Sequence, residues 1–153
     1  MEREVEYLGH IISAEGVKPK RKLLSAIESA PPPKDKDQLR SFMGLLEYYS
    51  KFVRNFAHKT ECLRSLLKRG SSFAWGTQQQ QCFDCIKADI CGANILVPFD
   101  TNNSSILTVD ASATGLGAVL AQKHGSTTRI IAFASRTLTE SERNFSVIER
   151  EAL

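Results

Sequence analysis

Glu4, Val5, Glu6 and Tyr7 alternate polar and apolar, and an apolar run from Leu8 to Ile12 follows, with His10 inside it. Alternation with a period of two predicts a strand. Ser13 to Gly16 reads as a turn and Val17 resumes an extended stretch, so the N-terminus is expected to form a β-hairpin. Pro19 suits the first turn of a short helix whose apolar face is Leu23, Leu24 and Ile27, and Pro31-Pro32-Pro33 ends it. The next helix is better marked. Asp35 caps it and Gln38 completes a capping-box pattern. Leu39, Phe42, Met43, Leu46, Tyr49 and Val53 then recur at spacings of three and four. A third helix carries Leu63, Leu66 and Leu67 and stops at Gly70. A fourth starts at Thr77, with Phe83, Ile86 and Ile90 inward and Gly92 beyond its end.

After residue 94 the pattern shifts from helical to extended. Ile95 to Phe99 is a short apolar run broken by Pro98, and Asp100 to Ser105 is a turn cluster. Three consecutive strands are predicted at Ile106–Asp110, Leu116–Gln122 and Arg129–Ser135, separated by stretches rich in Gly, Ser and Thr. A last helix begins near Thr139 and runs to the end. The four earlier helices can supply a core. Three strands and one helix leave one sheet face uncovered and an edge unpaired.

The length of 153 residues suits one domain, and 42% hydrophobic with 24% charged residues excludes a disordered chain. No window approaches the ~18 apolar residues of a membrane span, and no signal core follows Met1. Four cysteines are too few for a disulfide scaffold. The reading is a cytoplasmic or nuclear protein with reduced thiols and no membrane partner. Charge is uneven: residues 18–69 hold 13 basic and 5 acidic residues, while residues 76–153 hold 6 and 8. A phosphate backbone suits the basic half, and a solvated basic helical surface is the alternative.

Candidate chemistry is sparse. Asp110 ends a predicted strand before a glycine-bearing turn, a placement suited to a hard cation or simply to turn formation. On the last helix Glu151 falls near the apolar side defined by Phe145 and Ile148, whereas Glu149 points further round. Glu151 either has a partner or metal, or is a solvated end residue. Cys82 and Cys85 form a C-x-x-C inside a predicted helix, without the second pair or the histidines of a zinc site, and read as structural thiols. Tyr48 lies off the main apolar stripe. Beside Arg40, Lys51 and Arg54 it suits a helix against nucleic acid, or it is a half-exposed tyrosine.

Four stretches carry a resemblance. They are Val5 to Ser13; Leu39-Arg40-Ser41-Phe42-Met43-Gly44-Leu45 continuing through Tyr48-Tyr49 to Phe52; Thr108-Val109-Asp110-Ala111-Ser112 with Gly115 and Gly117 to Leu120; and Ile131 to Leu138 running on through Glu142–Ser146 to Glu149-Arg150-Glu151-Ala152-Leu153. In this order and spacing the chain resembles the polymerase polyprotein of gypsy-type LTR retrotransposons and related retroviruses, over nearly its whole length.

The resemblance implies an α+β architecture. Residues 1–17 are a primer-grip-like hairpin, residues 18–93 a helical thumb or connection-like segment, and residues 94–153 the N-terminal part of a ribonuclease H-like domain with three antiparallel strands and the first helix. Leu8, Gly9 and His10 match the hairpin that grips the primer strand, and Arg40, Tyr48, Lys51 and Arg54 would face the template–primer duplex. Asp110 and Glu151 match the first two of the carboxylates that bind Mg²⁺ for hydrolysis of RNA in an RNA–DNA hybrid. Glu149 is expected to be dispensable. The polymerase's Tyr-x-Asp-Asp would lie before Met1 and the later carboxylates beyond Leu153, in the remainder of the polyprotein, so the isolated chain is expected to be inactive. The alternatives are a non-catalytic nucleic-acid-binding module and a partner-seeking structural remnant.

Overall fold

The computed structural model describes residues 4–93 and 95–153. The N-terminal alternation produces three strands, β1 (Glu4–Tyr7), β2 (His10–Ser13) and β3 (Gly16–Pro19), in an antiparallel sheet of order β1-β2-β3. The expected hairpin is β2–β3. The apolar run hides a second turn at Leu8 and Gly9, which both take positive φ, 45° and 74°. That conformation disfavours a side chain at Gly9 and is strained at Leu8. Pro19 is the last residue of β3, opposite His10, and not in the first helical turn. A strand at a sheet edge tolerates its missing N–H.

Helix α1 (Arg21–Glu28) is followed by α2 (Lys36–Tyr48). Asp35 caps α2, accepting from Gln38 N at 2.8 Å. The Gln38 side chain accepts from Lys34 N and not from the cap itself, so the box is only half formed. The apolar periodicity outlasts the helix. After Tyr49 the chain makes a 3₁₀ turn (Ser50–Phe52), leaves Val53 extended, and places Asn55 in the left-handed region with φ 54°. Short helices α3 (Phe56–Lys59) and α4 (Glu61–Leu66) precede the long α5 (Thr77–Cys91). Leu39, Phe42, Leu46, Tyr49, Phe56, Leu63, Phe83, Ile86 and Ile90 close one core between them. The sulfurs of Cys62 on α4 and Cys82 on α5 lie side by side, with Cα atoms 6.9 Å apart. Cys85, three residues further along α5, is exposed.

Strands β4 (Ser105–Ala111), β5 (Gly115–His124) and β6 (Thr127–Thr137) form a second antiparallel sheet of order β4-β5-β6. Leu96 and Val97 join the two sheets. Val17 N donates to Leu96 O at 2.7 Å and Val97 N to Ile130 O at 2.9 Å. One face of the second sheet lies on the helices. Ile130 and Phe133 pack against the helical core, and Ala57 N donates to Ser135 Oγ at 2.9 Å. The opposite face is open, with Leu107 and Val109 exposed.

The single C-terminal helix expected from the sequence is two: α6 (Glu140–Arg143) and α7 (Val147–Glu151). Each has its own capping box, Thr139 with Glu142 and Ser146 with Glu149. A second cap inside the run restarts the helix on a new axis.

Candidate functional site

Asp110 and Gly117 are register partners on β4 and β5, and Gly117 pairs in turn with Ser135 on β6. The three lie on the helix-facing side of the sheet, because alternate residues share a face. Asn55 fills the space above Gly117. A Cβ there would collide with the Asn55 carboxamide oxygen, so a glycine is needed for α3 to dock. His58 Nδ1 lies 2.9 Å from Thr114 Oγ1 at the same junction. Asn55, His58, Ser112 and Gly117 thus wall a small hollow of about 170 Å³ behind Asp110.

On the other side a cleft of about 600 Å³ opens between the sheet and α7. Asp110, Arg150 and Glu151 line it together with the apolar floor of Val109, Ala118 and Ala134. Asp110 borders both spaces because it sits near the end of β4. Arg136, also in the wall, is held by Glu142 through two bonds of 2.8 and 2.9 Å. This fork and the Thr139 N–H hold the Glu142 carboxyl down to about 2. Glu149 is turned away and accepts from Ser146 N at 2.8 Å. That backbone bond, with the Ser146 hydroxyl, lowers its pKa. Asp110 and Glu151 both border this cleft, Asp110 at the end of β4 between the two faces, and their oxygens are of the kind a hard cation such as Mg²⁺ takes. Among the described residues no group of three carboxylates, histidines or cysteines converges as a metal cluster.

The second candidate region is the Leu8–Gly9 turn. Tyr48 Oη donates to Leu8 O, and Tyr49 Oη donates to Gly9 O at 3.2 Å. Two neighbouring tyrosines at the end of α2 thus hold the turn by its carbonyls, while the Leu8 side chain stays exposed. His10 is buried beneath, its ring against Tyr48, Tyr49 and Phe52 at centroid distances of 5.2, 5.8 and 5.7 Å. Burial lowers its pKa, and the Lys51 charge lowers it further, against a bond to Leu8 O. A neutral, enclosed imidazole supports the turn from below. Lys51 belongs to this group through His10 and the Phe52 ring, 5.3 Å from its Nζ.

The other two basic residues expected here lie apart. Arg40 is bound to Asp37 at 2.6 Å, one turn away on the same helix. Arg54 lines a separate hollow with Lys59, Asp89 and Phe133. Further basic side chains are spent internally: Lys18 and Lys20 on Glu4 and Glu6, Arg64 on Glu47 at 2.5 Å. The local basic excess is therefore smaller in the fold than along the chain.

Residues 75–153 match the family model described as the RNase H-like domain found in reverse transcriptase. The chain belongs to that family. The match takes in α5 as well as the second sheet and both terminal helices. This RNase H-like chain is 38% identical over 156 residues to the retrovirus-related Pol polyprotein from transposon 297 of Drosophila melanogaster, covering 100% of this chain and 14% of that protein. It is 34% identical to the corresponding polyprotein from transposon 412, covering 97% and 12%. To the transposon Tf2-3 polyprotein of Schizosaccharomyces pombe it is 30% identical, covering 98% and 11%. The chain thus spans about an eighth of the length of these relatives. These relatives are retrotransposon polyproteins, and the part of them that this chain resembles includes the RNase H-like domain. Its fold matches part of a foamy viral protease–reverse transcriptase solved in complex with double-stranded DNA, with TM-score 0.85 at 24% identity over 99% of this chain and 27% of that one. A second such enzyme, in complex with an RNA/DNA hybrid, gives TM-score 0.83 at 23% identity over 99% and 21%.

Asp110 and Glu151, inside the RNase H-like match, border one cleft, and Leu8, Gly9, His10, Tyr48 and Lys51, which precede it, gather at one turn. Sequence reasoning missed three residues at these places. Tyr49, read as core, also holds Gly9. Asn55 carries only the weak signal of a turn-favouring residue among apolar ones. Arg150 stands beside Glu151 and attracted no role of its own.

Proposed function

We propose that this chain is the junction of polymerase and ribonuclease H portions in a gypsy-type LTR retrotransposon reverse transcriptase. Residues 1–17 act as the primer-grip-like hairpin, a reading supported by the tight turn at Leu8 and Gly9. Residues 18–93 are the thumb or connection-like segment, and residues 94–153 the beginning of the ribonuclease H-like domain. The observation that carries the reading is the meeting of Asp110 from β4 and Glu151 from α7 in one open cleft. These two carboxylates would hold Mg²⁺ together with donors from the rest of the polyprotein. When bound, the ion lowers the pKa of a water and offsets charge on the leaving oxygen. The chain's own part is to present two anionic oxygens from a rigid strand and a capped helix, over an apolar floor that limits water. The substrate is the RNA strand of an RNA–DNA hybrid, as the hybrid-bound foamy viral relative suggests. Leu8, Gly9, Tyr48 and Lys51 contact the template–primer duplex, with His10 as internal support, and Arg40 and Arg54 reach it from the flanks.

The test is a polyprotein carrying Asp110→Asn or Glu151→Gln. Hybrid cleavage is expected to be lost while DNA synthesis on the same template persists. Retained cleavage would overturn the assignment. The 153-residue chain alone is expected to show no Mg²⁺-dependent cleavage, because two carboxylates do not complete near-octahedral ligation. Cleavage by it that Asp110→Asn abolishes would contradict this.

A further inference from the structure

Four charged residues line the large cleft: Asp110, Arg136, Arg150 and Glu151. The two arginines differ in how far their donors are spent. Arg136 gives both ends of its fork to Glu142 at 2.8 and 2.9 Å. Arg150 gives Nη1 to the Ser112 carbonyl at 3.2 Å, and its buried Nε has no partner. No carboxylate among the described residues forms an ion pair with it, although Glu151 adjoins it and Asp110 lies in the same wall. A guanidinium offers five N–H donors in a rigid plane, and a buried donor without an acceptor is unfavourable. The carbonyl of Ser112, two residues after Asp110, fixes one corner of that plane beside the strand end. Of its other donors Nε is enclosed, which leaves Nη2 to take an oxygen of a phosphate group.

We propose that Arg150 is a phosphodiester-binding residue of this cleft, taking a backbone phosphate of the bound nucleic acid through Nη2. The inference rests on the reading of the cleft as the hybrid site, and assigns a role to a residue outside the carboxylate set. An open cleft with an apolar floor accommodates a strand. One cation with unspent donors fixes where along that strand a phosphate sits relative to Asp110 and Glu151. Arg150 thereby acts in register and affinity, not in the bond-breaking step.

The experiment measures binding of a short RNA–DNA hybrid to the 153-residue chain in EDTA, by fluorescence anisotropy across a salt series. Removing the divalent ion separates phosphate capture from metal binding. Arg150→Ala is expected to weaken binding about tenfold at low salt, and to reduce the slope of log affinity against log salt by about one. Arg150→Lys keeps the charge but loses the fork, and should restore the slope while restoring affinity only in part. Lys123→Ala, an exposed lysine outside the cleft, is the control for general loss of charge. Thermal unfolding of each variant checks that α7 and its cap survive. Wild-type binding with an unchanged slope in folded Arg150→Ala overturns this inference and leaves the cleft reading standing. Absence of salt-dependent hybrid binding by the wild-type chain overturns both.

Discussion

Phe83 and Val109 are both apolar residues on regular elements, yet Phe83 is 1% exposed and Val109 is 62% exposed. Phe83 sits on α5 between Phe42 and Trp75, at centroid distances of 4.8 and 5.7 Å, with the Lys87 ammonium 4.8 Å over its ring. Val109 sits on β4 on the open face of the second sheet. The helical region closes its own core, because helices of mixed length pack their stripes against each other within 60 residues of chain. The sheet borrows cover for one face from α3 and the 3₁₀ turn, about 60 residues upstream. Among the described residues its other face is met by α7 at one end. Stability and site are thus divided: the helices hold the molecule together, and the carboxylates stand on the part with least cover.

The sharpest way to break this contrast is to empty the helical core. Phe83→Ala removes a ring packed on three sides and is expected to cost about 3–5 kcal/mol, read as a lower urea midpoint. A loss under about 1 kcal/mol would mean the helical region is not what holds the fold. A smaller effect is expected at the seam between the regions. Gly117→Ala drives a methyl into the Asn55 carboxamide and should cost about 1–3 kcal/mol. Asn55→Gly empties that space and suits the left-handed backbone, so the double variant should recover most of the loss. Additive losses in the double variant would show that this contact does not join sheet to helices.

Acid should reach the C-terminal region first. The Glu142 carboxyl is held at about 2 in the fold by Arg136 and the Thr139 N–H, below its ordinary value of 4.5. Its contribution is fully present above pH 4.5 and fades as the pH falls from there toward 2. Acid unfolding between those limits should be less steep in Glu142→Gln; an identical profile would remove the clip from the account. The smallest effect is expected on the open face, where Val109→Thr should change stability by no more than about 0.5 kcal/mol. A larger loss, seen by thermal unfolding, would mean that face is covered in solution.

Much of the architecture was legible because local chemistry agreed with it. Asp35 at a helix start, Gly92 at a helix end and three period-two runs after Ser105 each carry one meaning. Ser146 with Glu149 was equally readable as a second cap, but the continuous stretch from Thr139 masked it. The end of α2 was not readable. Val53 and Phe56 keep helical spacing and are buried, yet the chain has left the α-helix because Asn55 must reach Gly117, 62 positions later. The Leu8–Gly9 turn escaped for a similar reason. Its positive φ at a leucine is held by two tyrosine hydroxyls from α2, whose partner carbonyls no sequence pattern displays. Residue type left Asp110 and Glu151 open between ligand and bland readings, and only the resemblance marked them as a carboxylate pair. The linear charge count could not show which basic residues are paired: Lys18, Lys20, Arg40 and Arg64 each find a carboxylate in the fold.

The sequence by itself determined the order of elements, the helical core and the oxygen chemistry of the site. Periodicity, caps and residue type act within one or two turns of the chain. Only the tertiary structure decided that Asp110 and Glu151 border one cleft and that two tyrosines hold the Leu8–Gly9 turn. It also decided that Arg150 keeps unspent donors where Arg136 does not. Those outcomes depend on which side chains meet across tens of residues, and that follows from packing of whole elements rather than from any local preference.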